Sequence, residues 1–326
     1  MGNDLNILIL SCGTRNKIVQ YFRKELGQLG KVLATDCSEL APALYEADQY
    51  FIVPRMDEEG YIEHILSICK DNNIKLIFSL IDPELSLLAE RKQDFIKIGT
   101  TPIISDFNVV EMCFDKYRMY QFLIEHGYKT VRSYINKNEF YEDVQKGLID
   151  YPVFVKPVRG SASINISKVT SQQEIEQLFS MYDNLMIQQF MSGSEFGADV
   201  YIDMLSKEPV AIFTKEKLKM RAGETDKSVS IKDAALFELV SRFSKELGAI
   251  GIIDIDLFKV DGDYYISEVN PRFGGGYPHA YESGVNVPQM IINNGLGKEN
   301  DNVIGQYNKD IYMMKYSEVK IWGNIK

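Results

Sequence analysis

The sequence predicts an α/β domain with a doubly wound parallel sheet, followed by an α+β domain. Two observations carry that prediction. Over the first third of the chain, short apolar runs alternate with stretches of helical spacing. After Asp115 the pattern changes to paired strands punctuated by helices.

Residues 5–10 (LNILIL) are a nearly continuous apolar run closed by Ser-Cys-Gly, as expected of a strand buried on both faces. Residues 15–29 place Ile18, Val19, Phe22, Leu26 and Leu29 at helical spacing. Residues 32–35, ending at Asp36, read as a second strand. Residues 60–70 read as a helix through Ile62, Ile65, Leu66 and Cys69. A third strand is expected at 75–80 (KLIFSL) and a helix at 83–95. Such alternation puts helices on both faces of a parallel sheet, so residues 1–113 form the first domain.

Residues 116–126 are helical in pattern, and 151–157 (YPVFVKP) form an apolar strand. A Gly/Ser turn at 159–163 leads to a returning strand at 164–169. A helix at 171–180 and strands at 184–189, 196–205 and 210–219 follow, then a long helix at 231–247. Strands at 251–259 and 264–269 are joined by the turn Asp261-Gly262-Asp263. The second domain is expected over residues 114–326.

The 326 residues suit two domains, and 45% apolar with 25% charged residues is the ordinary globular range. Thirty-six basic and 46 acidic side chains leave a net charge of −10, which speaks against a nucleic-acid surface. A nucleotide or another small anion needs only a few local cations. No run reaches the roughly 20 apolar residues of a membrane span. The opening MGNDLNILILSCG contains Asp4 and lacks a basic stretch, so it is read as a strand and not as a leader. Cys12, Cys37, Cys69 and Cys113 show no C-x-x-C spacing, and a reducing cytoplasm is the expected location.

The strongest chemical signal is Ser267-Glu268-Val269-Asn270-Pro271-Arg272. On a strand, Glu268 and Asn270 share one face, and so do Asp254 and Asp256 on the strand before. The turn between the strands brings the carboxylates to a common wall. An amide oxygen and carboxylates form the hard oxygen environment that Mg²⁺ prefers, with phosphate oxygens completing its shell. Acids on a solvated sheet face are the plainer alternative, but apolar neighbours make unpaired charge costly there.

Three weaker signals accompany it. Lys156-Pro157 precedes Gly160-Ser161-Ala162-Ser163, small residues that let backbone N–H groups approach a phosphate; an ordinary hairpin turn reads the same way. Asp115-Lys116 opens a helix, either as a phosphate-reaching lysine or as a common solvated start. Met186-Ile187-Gln188-Gln189-Phe190-Met191 runs into Ser192-Gly193-Ser194-Glu195: an edge able to pair with a purine and an acid for ribose hydroxyls, or only strand, turn and strand.

In this order and spacing the four signals resemble the ATP-grasp superfamily, in particular stand-alone proteins similar to the carbamoyl phosphate synthase large chain and to amino-acid ligases. The resemblance covers nearly the whole chain. It rests on Glu268-Val269-Asn270-Pro271-Arg272, Asp115-Lys116 and Lys156-Pro157 with its Gly/Ser turn, and also on Asp82-Pro83-Glu84-Leu85. It implies a Rossmann-like pre-ATP domain at 1–113 and a two-lobed ATP-grasp domain, with lobes at 114–187 and 188–326.

By the resemblance, Lys116 and Lys156 bind ATP phosphates under Ser161, Ala162 and Ser163. The backbone of Gln188, Gln189, Phe190 and Met191 meets adenine, and Glu195 meets ribose. Asp256, Glu268 and Asn270 hold Mg²⁺, with Mn²⁺ as an alternative ion; Asp254 competes with Asp256 on sequence grounds. Arg272 stabilises the transferred phosphoryl group.

Phosphoryl transfer to a carboxylate needs positioning and charge stabilisation rather than a protein nucleophile. The expected activity is therefore carboxylate–amine ligation through an acyl phosphate. Carbamoyl phosphate synthase-like activation of bicarbonate and a non-catalytic nucleotide sensor are the alternatives. The turn Ser11-Cys12-Gly13-Thr14-Arg15 lacks G-x-G-x-x-G, which speaks against a nicotinamide dehydrogenase.

For the substrates, the polar stretch 214–227 offers Arg221 to a carboxylate or the γ-phosphate, or is simply a solvated loop. Gly274, Gly275 and Gly276 permit close approach to a ligand, and Tyr277 or His279 would line the acceptor pocket. The expected partners are a small carboxylate and an amine, without nucleic acid or membrane; the resemblance also allows a homodimer.

Overall fold

A computed structural model describes residues 4–160 and 166–323. The first five strands are β1 (Asn6–Leu10), β2 (Val32–Asp36), β3 (Gln49–Ile52), β4 (Ile74–Ser79) and β5 (Thr101–Pro102). They form one parallel sheet in the order β3-β2-β1-β4-β5. Alternate residues of β1 serve different cores. Ile7 and Ile9 pack with Ile18, Val19 and Phe22 of helix Asn16–Leu26, and Leu8 and Leu10 pack with Ile62 and Ile65 of helix Tyr61–Asp71. Two covered faces explain why LNILIL has no polar alternation.

Strand β3 and the two-residue β5 escape a pattern reading, since β3 is mostly exposed and β5 is too short to show a period. The helix expected at 83–95 is two helices, Asp82–Glu90 and Lys92–Lys97, broken at Arg91.

The next four strands are β6 (Ser133–Tyr134), β7 (Val153–Pro157), β8 (Ser167–Val169) and β9 (Leu185–Gln189), an antiparallel sheet in the order β6-β9-β7-β8. Phe140 of helix Lys137–Gln145 and Ile175 of helix Gln172–Met181 close its core.

The last six are β10 (Ser194–Ile202), β11 (Pro209–Arg221), β12 (Glu224–Ile231), β13 (Gly251–Val260), β14 (Asp263–Asn270) and β15 (Tyr312–Met314). Their order is β14-β13-β10-β11-β12-β15, antiparallel throughout. Leu236, Val240, Phe243 and Leu247 of helix Ala234–Leu247 cover one face, packing on Val200, Ile253 and Ile255.

The stretch 214–227 is not a loop. It is the end of β11, a turn at Ala222 and Gly223, and the start of β12. Both turn residues have positive φ, 50° and 76°, the conformation of a two-residue hairpin turn.

After β14 the chain returns to the first domain. Phe273, Tyr277, Val287, Ile291 and Ile292 belong to the same buried cluster as Phe22 and Phe78. This return draws the end of the E-x-N-P-R segment toward the carboxyl ends of the parallel strands. Among the described residues, no helix is long and apolar enough to cross a membrane.

Candidate active site

Period-two alternation brings the charged residues of four neighbouring strands to one face of the six-stranded sheet. β13 presents Asp254 opposite Asn270 of β14, and Asp256 opposite Glu268. β10 adds Glu195 and Asp199, the latter opposite Asp254, and β11 adds Lys215 and Lys217. Gly197 lies between them. A Cβ there would stand 3.0 Å from Cε of Lys215 and 3.2 Å from Cε of Lys217, so the missing side chain is what lets both lysines cross β10. The Lys217 ammonium donates to Asp256 at 2.6 Å and to Glu195 at 2.8 Å. Lys215 donates to Asp199 in a fully buried pair.

This face forms one wall of a cleft of about 720 Å³. The four-stranded sheet contributes Phe154, Lys156, Gln188 and Gln189 to the opposite wall. The first domain closes one end with Arg15 and Asp82. Phe154, Ile166, Met191 and Phe258 make one part of the lining apolar, suited to a planar base, while lysines, acids and arginines occupy the rest.

Of the residues singled out in the sequence, Lys116, Lys156, Gln188, Gln189, Met191, Glu195, Asp254, Asp256, Glu268, Asn270, Arg272, Gly275 and Gly276 line this cleft. Ser161, Ala162 and Ser163 lie outside the described residues. The Phe190 ring is not in the lining; it packs on Phe154, with the Lys168 ammonium 4.1 Å from its centroid.

Three expected substrate residues are elsewhere. Arg221 is exposed at the end of β11, next to the turn, and does not line the cleft. Tyr277 is wholly buried in the core shared with the first domain, where its hydroxyl donates to the Val285 carbonyl and accepts from the Val287 N–H. His279 is buried between the Ser228 hydroxyl and the Ile311 carbonyl. Tyr277 follows the chain as it turns back onto the first domain, whereas His279 is held against the six-stranded sheet by Ser228 of β12 and Phe213 of β11.

The glycine run packs against charge directly. A Cβ on Gly274 would lie 2.4 Å from the Asp254 carboxylate. One on Gly275 would lie 2.6 Å from the Glu224 carboxyl carbon and 2.9 Å from an Arg15 nitrogen. Close approach, not backbone conformation, is why glycine stands there.

Burial shapes the electrostatics. It lowers the Lys156 pKa, with Glu268 opposing and Lys116 adding to the fall. Lys217 is also buried, but Asp256 and Glu195 outweigh that and raise it. Burial and the neighbouring Asp256 push Asp254 well above the usual carboxylate range. Arg272 donates to Asp82 at 2.8 Å and to the Phe273 carbonyl at 3.2 Å.

Sequence reading passed over Arg15, Asp199, Lys215, Lys217 and Glu224, and gave Asp82 no role. The alternation Thr214-Lys215-Glu216-Lys217 did carry a signal, two lysines on one strand face; Arg15 carried none, because its partner Glu224 is a long-range contact.

The donor set suits a hard divalent cation. Among the described residues neither the Glu268 nor the Asn270 side chain has a hydrogen-bond partner, and both face the cleft beside Asp256. No three His, Cys, Asp or Glu side chains among the described residues converge on one point. The acids thus form an open wall, the arrangement expected where substrate phosphates supply the remaining oxygens.

Residues 113–276, just over half of the chain, match the family model described as ATP-grasp domain, and residues 7–103 match PylC-like, N-terminal domain. The chain is 25% identical over 295 residues to a carbamoyl-phosphate synthase of Methanobrevibacter smithii, covering 86% of this chain and 78% of that protein. It is 28% identical over 206 residues to a D-alanine–D-alanine ligase of Acetivibrio thermocellus, covering 52% of this chain and 54% of that one. In fold it is similar to the biotin carboxylase domain of Hydrogenobacter thermophilus 2-oxoglutarate carboxylase, solved with MgADP, ADP and bicarbonate. The TM-score is 0.75 at 16% identity, over 94% of this chain and 73% of that one.

Proposed function

The chain belongs to the ATP-grasp family, and on that premise we propose that it is an ATP- and Mg²⁺-dependent carboxylate–amine ligase that releases ADP and phosphate. One observation supports this reading most: Lys156 from one sheet, Glu268 and Asn270 from another, and Arg272 from the segment after β14 line a single cleft.

A carboxylate is a poor acyl donor because oxide is a poor leaving group. A carboxylate oxygen attacks the γ-phosphorus of ATP, the bond to the β–γ bridging oxygen breaks, and ADP departs. The amine nitrogen then attacks the acyl carbon, phosphate leaves, and the nitrogen loses its proton to solvent. Lys116 and Lys156 hold the phosphates, and Glu195 holds the ribose. The strand end from Gln188 to Met191 meets the base, and Ser161 to Ser163 act over the phosphates. Asp256, Glu268 and Asn270 hold Mg²⁺ or Mn²⁺, which neutralises charge on the phosphate oxygens when bound. Arg272, anchored by Asp82, faces the developing charge, a role that needs no protein nucleophile.

In this reading the domains meet at residues 113 and 114, and the protein acts in the cytoplasm as a homodimer. The similarity to a carbamoyl-phosphate synthase over 86% of the chain supports a second reading, with bicarbonate as the activated carboxylate. ADP release from MgATP, measured with small carboxylates, bicarbonate, amines and ammonia, separates the two. Dependence on a carboxylate and an amine supports the first, and dependence on bicarbonate and ammonia the second. MgATP binding with no ADP under any combination points instead to a nucleotide sensor.

A further inference from the structure

The segment that follows β15 joins the two domains behind the cleft, by contacts that the ligase reading does not use. Lys315 prolongs the pairing of β15 with β12: its N–H donates to the Asp226 carbonyl at 2.9 Å, and its carbonyl accepts from the Lys227 ammonium at 2.6 Å. The segment then leaves the six-stranded sheet for the first domain. There Lys320 donates to Glu46 at 2.6 Å, and the Trp322 ring lies 4.7 Å from that of Tyr45, which packs on the core around Phe22. Both attachments converge on the turn after β1. Glu224 gives one carboxylate oxygen to Lys315 at 2.9 Å and the other to Arg15 at 2.8 Å, so Lys315 orients the carboxylate that aims Arg15. The Glu46 oxygen that takes Lys320 also accepts from Asn16, the residue after Arg15, at 3.2 Å. One segment thus holds that turn from two sides. Arg15 lines the cleft, whereas Lys315, Lys320 and Trp322 do not.

We propose that residues 315–322 are a detachable strap that sets the position of Arg15 from outside the cleft. Between the two attachments, Tyr316 and Val319 are 82% and 79% exposed. The attachments themselves are partly exposed ion pairs and one aromatic pair. Such contacts are individually weak, and salt screens the ionic ones. The parallel sheet and the six-stranded sheet each have a buried core of their own, so the strap lifts off without unfolding either. Docked, it orients Glu224 and steadies the turn, and Arg15 stays in the cleft wall. Released, it leaves Glu224 to Arg15 alone and Glu46 to Asn16, and the turn gains freedom to swing. The wall at that end of the cleft is therefore movable, and its state follows the strap.

Trp322 is the only tryptophan of the chain, so its fluorescence reports the strap. Acrylamide quenching of that fluorescence is measured in the parent, Lys320→Glu and Lys320→Arg, at about 0.05 M and about 0.5 M salt. Hydrogen exchange and phenylglyoxal labelling of arginines, both read by mass spectrometry, are followed on the same samples. Setting a carboxylate opposite Glu46 should raise quenching about twofold. It should speed exchange at residues 12–16 and labelling of Arg15 about tenfold, while residues 196–201 of β10 and the exposed Arg221 keep the parent rates. Lys320→Arg should match the parent, and the higher salt should move the parent toward Lys320→Glu. Equal quenching in parent and Lys320→Glu overturns the strap. So does unchanged labelling of Arg15, or exchange that accelerates as much in β10 as at 12–16. MgATP binding, measured by calorimetry, is a separate readout: a protein that binds none overturns the ligase reading and leaves the strap standing.

Discussion

Asp82 and Arg272, 190 residues apart in the chain, form an ion pair at 2.8 Å with both side chains nearly buried. The pair ties the carboxyl end of the parallel sheet to the segment that follows β14. It fixes the guanidinium at the junction of the two domains. The second carboxylate oxygen of Asp82 has no partner among the described residues, so the pair is built for holding Arg272 rather than for maximal bonding.

Removing the carboxylate should therefore strand a buried cation. Asp82→Ala is expected to lower unfolding free energy by about 3 kcal/mol, the range for breaking a buried pair from one side. Its loss of ADP release should exceed its loss of MgATP affinity. Chemical denaturation and calorimetry on the same preparation check both halves.

Glu268→Gln keeps the shape of β14 and removes one negative charge from the wall facing Lys156. ADP release is expected to drop about a hundredfold or more, with an unchanged thermal midpoint. Turnover at the parent rate would remove Glu268 from the metal site.

Gly274→Ala tests the close approach. The added methyl would sit 2.4 Å from the Asp254 carboxylate, so one of the two must shift. A stability loss of about 1–3 kcal/mol is expected from overpacking. Gly13→Ala is the control: its neighbourhood is open within 4 Å, but its positive φ still carries a backbone cost. Measuring both variants separates crowding from conformation.

His279 predicts the acid limb of stability. Burial, followed by the nearby Lys215, lowers its pKa to about 4, while an unfolded histidine titrates near 6.5. Between those values the unfolded chain binds the additional proton, so stability falls as pH drops from about 6.5 to 4. The window amounts to about 3 kcal/mol for this group. Stability curves at pH 7 and pH 5 should converge in His279→Gln relative to the parent protein. An equal pH slope in the two proteins would refute the assignment.

Much of the architecture was legible because it is written in local periods. LNILIL and KLIFSL showed the doubly covered strands, and the residues around Asp261-Gly262 showed the β13–β14 hairpin. β3 and β5 were not legible, one being exposed and the other two residues long. The 214–227 stretch left a substrate-contacting Arg221 and a solvated loop open beyond the strand expected at 210–219, because the strand carries charge to its exposed end: Lys215 and Lys217 reach the cleft wall, while Lys219 and Arg221 lie exposed toward the hairpin tip.

By itself the sequence determined which side chains share a strand face. Alternation alone placed Asp254 with Asp256 and Glu268 with Asn270, because the period of two is a local property of the extended backbone. Tertiary structure decided everything that depends on two distant segments meeting. It sent Tyr277 into the core shared with the first domain and His279 against Ser228 and Phe213 of the six-stranded sheet, and it let Lys215 and Lys217 cross at Gly197. It brought Arg15 to Glu224 and Asp82 to Arg272. Those pairings follow from how separate apolar faces are buried together, and no short stretch of sequence contains that information.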